Sequence, residues 1–571
     1  MSVLIDKLQR EKKRTATFFL WTSAVAGIIL FILFVLPRSE LGNQLILGLS
    51  ASRVFVAIIF LGLLSVNIGV ALTITLESGL RQEEWKNRLS GLLARRQTLI
   101  MVTLYAVLIL TGAFLLLIIP PIIRPLSFLE PVSARLGSFI GWVFLASLLL
   151  FVMLRVIVPE SLQNTQIVER LDQVLILTGL FLVTFFLYSH FAALIGWVNK
   201  TRYSYWNLLA GQFIHGKLYL ENPPSTHDLT LYNGHWYLPP PPLPAILMMP
   251  LAYLIGAGNI STSYLSMFFS AINGMLVYLI LRQLNKRQWI NISTAGIFIL
   301  VTLFLFGTPH LWVGISGREW FVSQILTVLF LALAVYAALR SWSAWLVGAL
   351  IAIAITSRPN SLLTWPFVFA IAMQVLKETQ GKINLKQAIQ WGLKTMPPIA
   401  LAVGGLLFYN YIRFGNFLDF GYTTINGDPD VVYNVQTWGT FSLHFIWTNL
   451  QVMLFKLPWF HWGGRWPIEP STIGMSVFLT TPPLIYLFRR YPKQWWILGA
   501  WAAVFFNVVL LILYHNTGSQ QFGYRYILDF LEPLIALLAV GLGKKIPWHF
   551  VLLVLASVAI NLYGANWFMN G

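Results

Sequence analysis

Long apolar runs, separated by short polar stretches, dominate the hydrophobic pattern of the chain. A run of about 17 to 25 apolar residues matches the length of α-helix that crosses the hydrocarbon core of a membrane. The pattern therefore predicts an all-α, polytopic integral membrane protein with about fifteen transmembrane helices. The predicted spans are residues 17–36, 51–76, 99–119, 138–157, 174–198, 261–281, 290–306, 320–339, 344–356, 362–375, 398–411, 473–488, 495–514, 526–542 and 550–562.

Two long polar stretches interrupt the apolar pattern, and we call them the first polar segment (residues 199–254) and the second polar segment (residues 413–472). The end of the first segment, 243–255, is apolar but too short to cross, so it is predicted to lie in the membrane interface. Lysine and arginine collect on the cytoplasmic side of membrane proteins. Their clusters predict a cytoplasmic N-terminus, and place both polar segments and the C-terminus outside. The clusters are at 81–96, 282–287, 377–394, 489–493 and 544–545.

Composition supports this assignment and excludes several function classes. Hydrophobic residues make up 57% of the chain and charged residues 10%, and the mean hydropathy of +0.72 excludes a soluble enzyme. There are no cysteines, so disulfides, thiolate nucleophiles and cysteine-ligated metals are excluded. The net charge of +18 is explained by cytoplasmic loops facing anionic lipids, so we predict membrane lipids, and not nucleic acid, as partners.

Ionisable residues are rare in the predicted spans and concentrate in the polar segments and at helix ends on the same side. A transporter is expected to place coupling or substrate groups near the middle of the membrane. The one-sided distribution instead favours an enzyme that works at the outer surface. The ionisable residues in question are His215, Glu221, His227, Asp228, His235, Arg318, Glu319, Arg358, Asp419, Asp428, Asp430 and Arg525.

Short stretches between residue 199 and about residue 542 resemble the GT-C glycosyltransferases, and within them the bacterial lipid-carrier-dependent enzymes related to protein O-mannosyltransferases and aminoarabinose transferases. The stretches occur in the order and on the predicted membrane side expected for that group. They are HGKLYL with DLTLYNGHWYLPPPPLPAIL, SGREWF, TSRPNSLL, YNYIRFGNFLDFGY, PSTIGMSVFLTTPP and FGYRYILDFLEP.

The resemblance implies a GT-C-like core at 173–571 that carries both polar segments. Residues 1–172, with four spans, have no counterpart in that core and are predicted to form an N-terminal accessory module. The resemblance also implies a multi-pass protein of the plasma (inner) membrane. Its expected activity is inverting transfer of a sugar from a polyprenyl-phosphate donor to an extracytoplasmic glycan, lipid or protein acceptor.

This chemistry needs a carboxylate to accept the proton of the acceptor, and cations or hydrogen-bond donors to stabilise the departing phosphate. Members of the group usually carry an acidic residue just after the first core helix, but residues 196–206 contain no acid. The first available carboxylates are Glu221 and Asp228, and we predict Asp228 as the general base. The alternatives are a carboxylate of the second polar segment, or a non-catalytic scaffold that kept the fold.

Seven further residues are predicted to bind substrate, and the two histidines, Arg358 and Arg525 among them have structural alternatives. The two histidines could be surface residues, the arginines could be interfacial, and the Asp228 stretch could form a turn beside the Asn233–Gly234 hairpin signal. No cofactor is expected, because arginine can neutralise a phosphate in place of a divalent metal. A lipid or polysaccharide transporter remains the alternative from another function class. The predicted substrate-binding residues are His227, Tyr232, His235, Arg318, Glu319, Arg358 and Arg525.

Overall fold

The computed structural model describes residues 166–197, 203–461, 466–518 and 520–570. The first four predicted spans lie outside these residues, as does the predicted accessory module except for residues 166–172. The chain divides into two compact units, Met1–Gly179 and Leu180–Gly571, and the candidate site lies entirely in the second.

The described chain is mostly α-helical, as the hydrophobic pattern predicts. The helices are α1 (Gln166–Leu194), α2 (Trp206–Ile214), α3 (Leu243–Ile255), α4 (Thr262–Lys286), α5 (Thr294–Phe306), α6 (His310–Ser316), α7 (Glu319–Leu339), α8 (Ala344–Ile355), α9 (Trp365–Gln380), α10 (Leu385–Phe414), α11 (Pro429–Trp438), α12 (Ile446–Leu454), α13 (Val477–Thr480), α14 (Trp495–Leu513), α15 (Leu531–Val540) and α16 (Trp548–Asn570). Short 3₁₀ helices cover Ala257–Asn259, Pro359–Thr364, Tyr422–Thr424, Leu443–Phe445, Pro482–Leu487 and Arg525–Phe530.

Within the described residues, seven helical segments are long and apolar enough to cross a membrane, and the bent pair α5–α6 would make eight. This confirms a helical protein with several potential spans, whereas the predicted total of about fifteen is not confirmed. The seven are Ile176–Leu194, Thr262–Lys286, Glu319–Leu339, Pro359–Gln380, Leu385–Phe414, Trp495–Leu513 and Trp548–Asn570.

Three predicted spans differ from the structure because the helices there are short. The run at 344–356 forms only the twelve-residue helix α8. The run at 473–488 divides into α13 and a 3₁₀ helix, since Pro482 and Pro483 lack the N–H groups that would continue an α-helix. The run at 526–542 likewise divides into a 3₁₀ helix and the ten-residue α15. By contrast, the predicted interfacial segment forms the helix α3 with the expected bounds.

Helix α7 lies at the centre of the described fold, and 83% of an apolar 18-residue stretch within it is buried. It packs against α4, α8 and α9, which together cover the almost continuous apolar surface of α7. The residue before its N-cap, Gly317, has a φ of +68°, and a Cβ there would approach the backbone nitrogen of Ser263 to 2.5 Å. Only glycine fits this close turn, which sets where Arg318 and Glu319 enter the site.

Two small antiparallel sheets accompany the helices. In the larger sheet β1 (Leu229–Tyr232) is central, flanked by β2 (His235–Tyr237) and β3 (Ile425–Asn426). The smaller sheet pairs β4 (Trp459–Phe460) with β5 (Ile468–Glu469). These strands are exceptions to the all-α prediction, and they lie between the membrane-length helices and not within them.

Candidate functional site

The three-stranded sheet joins the two polar segments. Strands β1 and β2 pair through the tight turn at Asn233 and Gly234, whose φ angles of +48° and +77° suit a two-residue hairpin. Strand β3, from the second polar segment, pairs with the other edge of β1 and places Leu229 opposite Asn426. The Asn426 amide also donates to the hydroxyl of Thr226 over 2.9 Å. Residues about 200 positions apart in sequence are therefore neighbours at this site.

Asp228 lies at the start of β1, where the two segments meet. Its backbone N–H donates to the carbonyl of Asn426 over 2.6 Å, and its φ of +59° is a left-handed conformation that aspartate tolerates. The side chain is 18% exposed. Burial raises the pKa of Asp228 to about 6, an effect that His227 and Arg525 oppose and Asp428 reinforces. A carboxylate with this pKa is a better proton acceptor than an ordinary aspartate, yet is still ionised at neutral pH.

His227 contacts Asp228 directly. Its Nε2 lies 3.6 Å from the Asp228 Oδ2, and its ring packs against Tyr203 with 5.0 Å between centroids. The hydroxyl of Tyr205 donates to the His227 carbonyl over 2.9 Å. These contacts hold the histidine beside the carboxylate, where its ring can donate a hydrogen bond to a ligand that approaches the base.

Arg525 brings a buried positive charge to the same site. It begins the 3₁₀ helix Arg525–Phe530, and its Nε donates to the Gly518 carbonyl over 3.1 Å. The guanidinium also lies 5.1 Å from the ring centre of Phe321 and 4.9 Å from that of Tyr526. Burial lowers the pKa of Arg525, but an arginine stays protonated at every physiological pH.

Arg358 also lies beside the Tyr526 ring, 5.4 Å from its centre. Its Nη2 donates to Oδ2 of the buried Asp529 over 2.9 Å, and the amide of Asn360 donates to the same oxygen over 2.8 Å. Burial and Asp529 act in opposite directions on the pKa of Arg358, and the balance raises it. The ion pair fixes the arginine in place and offsets part of the charge that it could present to a phosphate.

Glu319 and Arg318 lie at the start of α7, on the side of Tyr203. The Glu319 backbone N–H donates to the Tyr203 carbonyl over 3.1 Å, and its carboxylate is fully buried with no hydrogen-bond partner for either oxygen among the described residues. The Arg318 guanidinium lies 4.9 Å from the ring centre of Trp197 and 5.0 Å from that of Phe568. Its aromatic surroundings indicate a structural role, since cation–π contacts hold it between chain segments.

Two predicted residues lie on the hairpin and away from this cluster. The exposed His235 stacks on Tyr219 with 3.9 Å between ring centroids. Tyr232 meets Phe414 edge to face at 5.6 Å. The other early carboxylate, Glu221, is exposed and pairs with Lys217 over 2.6 Å. We define the Asp228 cluster by the groups that contact Asp228 or whose charges interact with it, together with the ring of Tyr526 and the arginine beside it. Its members are Asp228, His227, Glu319, Arg358, Arg525, Tyr422 and Tyr526.

Sequence reasoning did not single out Tyr422, Tyr526 or Asp529. Burial raises the pKa of Tyr422 to about 12, and the charges of both Arg358 and Asp228 act on it, so this tyrosine lies near both the cation and the carboxylate. All three residues belong to stretches that carry the GT-C resemblance, YNYIRFGNFLDFGY and FGYRYILDFLEP. Membership of these stretches was the only sequence signal for the three residues, and neither stretch shows which of its tyrosines faces the site.

No group of three or more histidine, aspartate or glutamate side chains in the described ranges is arranged to hold a metal ion. Comparisons of the chain with protein-family models, with curated proteins and with solved structures give no match.

Proposed function

We propose that the protein transfers a monosaccharide from a polyprenyl-phosphate donor to an acceptor outside the cytoplasm. The observation that carries the proposal is the position of Asp228, a mostly buried carboxylate at the junction of β1 and β3, beside His227. Burial there raises its pKa to about 6, and the charge of Arg525 acts on it. A general base and a cation in one site are what glycosyl transfer from a lipid phosphate requires. Helices of membrane length beside the site suit a donor with a hydrocarbon tail.

In the proposed reaction the acceptor hydroxyl attacks the anomeric carbon of the donor sugar, and its proton passes to the carboxylate of Asp228. The bond between the anomeric carbon and the phosphate oxygen breaks, and its electron pair leaves with the polyprenyl phosphate. Arg525 and Arg358 stabilise the charge of this leaving group. A single displacement from the opposite face inverts the configuration at the anomeric carbon.

Arg525 and Arg358 differ in how much positive charge they can offer to the leaving phosphate. Arg358 already shares its charge with Asp529, whereas Arg525 makes its hydrogen bonds to the neutral Gly518 carbonyl and Gln324 amide. We therefore assign the main phosphate contact to Arg525. Arg358 then acts chiefly by positioning Tyr526 and the end of the donor.

Reconstituted protein and a panel of radiolabelled polyprenyl-phosphate monosaccharides test the proposal, with membranes of a strain lacking the protein as acceptor. Wild-type protein should transfer label from at least one donor. Asp228→Asn should reduce the rate by about 10²- to 10⁴-fold, as expected for loss of a general base. The exposed Asp430 supplies the matched control, because Asp430→Asn removes a carboxylate from the same side of the fold without touching the cluster. Full transfer by Asp228→Asn, or no transfer and no donor binding by the wild type, would contradict the proposal.

A further inference from the structure

His515 is a buried histidine whose ring makes no hydrogen bond. It follows α14, and only 5% of the residue is exposed. Both ring nitrogens are shielded from solvent and lack a hydrogen-bond partner among the described residues. A buried polar group left in this condition destabilises the folded state, so such groups are rare unless they serve a purpose.

The backbone around His515 is, in contrast, fully engaged. Its N–H donates to the Thr440 carbonyl over 3.0 Å, and its carbonyl accepts from the Asn434 amide over 3.4 Å. The Asn449 amide donates to the carbonyl of the preceding residue, Tyr514, over 2.8 Å. The second polar segment thus holds this backbone in place, and the imidazole is rigidly positioned without being needed for the local hydrogen bonding.

A series of ring contacts connects His515 to the Asp228 cluster. The His515 ring lies 4.3 Å from that of Tyr514, which lies 6.1 Å from Tyr526. Tyr526 is the ring beside which the guanidinium groups of both Arg358 and Arg525 lie. Two aromatic rings, those of Tyr514 and Tyr526, therefore connect the histidine to the two cations of the site.

The chemistry of the imidazole limits which ligand it can take. Burial lowers the pKa of His515 to about 4, so the ring is neutral at physiological pH, with one nitrogen as donor and the other as acceptor. A neutral ring is a poor partner for a phosphate, which the arginines suit better, and a hydrocarbon tail offers it no hydrogen bond. A hydroxyl group both donates and accepts, and the neighbouring rings of Tyr422 and Tyr514 offer apolar faces to the C–H groups of a sugar.

We propose that His515 binds a hydroxyl of the donor's glycosyl group and helps to determine which sugar is accepted. This inference rests on the proposed function and adds a specificity-determining residue to it. Because the ring nitrogens are shielded, the sugar reaches them when a neighbouring side chain turns aside. We expect this to be Tyr422, which is half-buried on a three-residue 3₁₀ helix with its ring 6.4 Å from that of His515.

Binding measurements on full-length protein in detergent test the inference, with polyprenyl phosphate and its glucosyl, mannosyl and arabinosyl derivatives as probes. His515→Phe keeps a ring of similar shape and removes both nitrogens. Its affinity for the sugar derivative that the wild type binds best should fall roughly tenfold, the value of about one good hydrogen bond. Its affinity for polyprenyl phosphate alone should stay unchanged. His444→Phe, at an exposed histidine stacked on Trp438, is the matched control and should bind like the wild type.

Monodeoxy analogues of the preferred sugar give a second readout, which a merely structural role would not change. The wild type should lose affinity when one particular hydroxyl is absent, whereas His515→Phe should bind that analogue and the parent sugar equally. The thermal stability of His515→Phe should equal or exceed that of the wild type, because the variant no longer buries two unpartnered nitrogens.

Several results would overturn the inference. Unchanged affinity of His515→Phe for the sugar derivative would do so, as would an equal loss of affinity for polyprenyl phosphate alone. If the wild type binds no member of the panel, the proposed function fails and this inference fails with it. The wild-type measurement therefore separates failure of the proposed function from failure of the role assigned to His515.

Discussion

Replacing Asp228 with asparagine should stabilise the protein at neutral pH while strongly reducing its proposed activity. Asparagine is close in shape, tolerates the left-handed backbone of this position, and carries no charge. In the wild-type protein the carboxylate is mostly buried, and burial raises its pKa from 3.8 to about 6. The folded state therefore binds the proton more tightly than the unfolded state does.

The sign and size of the effect follow from this difference. The folded protein holds more protons than the unfolded chain between about pH 4 and pH 6, so stability falls as the pH rises through this window. The two pKa values differ by about two units, each worth about 1.4 kcal/mol, which amounts to about 3 kcal/mol at neutral pH. Asp228→Asn should recover this stability above about pH 7 and show almost no gain below about pH 4.

Thermal unfolding in detergent, followed by intrinsic fluorescence between about pH 4 and pH 8 at constant ionic strength, measures the effect. The Tm of the variant should exceed that of the wild type by an amount that increases as the pH rises. The exposed Asp430 again supplies the control, and the difference in Tm between Asp430→Asn and the wild type should not change with pH. If Asp228→Asn lowers Tm at every pH, or if the difference in Tm does not change with pH, the burial argument for Asp228 is wrong.

Three further predictions concern the pH profile, the buried ion pair and the turn before α7. The transfer rate should fall about tenfold per unit below about pH 6 as Asp228 gains its proton, measured with a donor at saturating concentration, and a flat profile would exclude it as the base. Asp529→Ala should reduce the free energy of unfolding by about 3 kcal/mol, because it leaves Arg358 without its partner. Asp529→Asn should reduce it by less, and denaturant titration in detergent compares the two variants. Gly317→Ala should lower Tm by several degrees because its Cβ meets a backbone nitrogen at 2.5 Å, whereas Gly404→Ala, at a helical glycine with open space around it, should be neutral or stabilising. Equal effects of the two glycine substitutions would contradict the steric argument.

Local patterns in the sequence predicted some features well. The apolar helix at 243–255 has the expected bounds, because Pro242 precedes it and Gly256, with a φ of +82°, ends it. The hairpin at Asn233–Gly234 forms where the turn residues predicted it. Both features depend on residues a few positions apart, whose preferences act regardless of the rest of the fold.

Helix continuity was harder to predict from apolar runs. The run at 473–488 has the hydrophobicity of a span, but its prolines divide it into two short pieces. The helix predicted at 398–411 instead extends over Leu385–Phe414, because Asn384 caps it well before the apolar run begins. Hydrophobicity alone measures how apolar a run is, whereas capping and backbone donors decide where a helix starts and stops.

The sequence by itself thus determined the class of protein, a mainly helical chain with membrane-length apolar helices and two polar segments that carry much of its ionisable chemistry. Only the tertiary structure decided which of those polar residues meet. Local sequence pattern does not encode the contacts between distant residues. Examples are the pairing of β1 with β3, the ion pair between Arg358 and Asp529, and the burial of His515 beside Tyr514. Periodicity and turn preferences act over a few residues, whereas the pKa of Asp228 depends on burial by distant segments, and so its chemistry arises only in the folded chain.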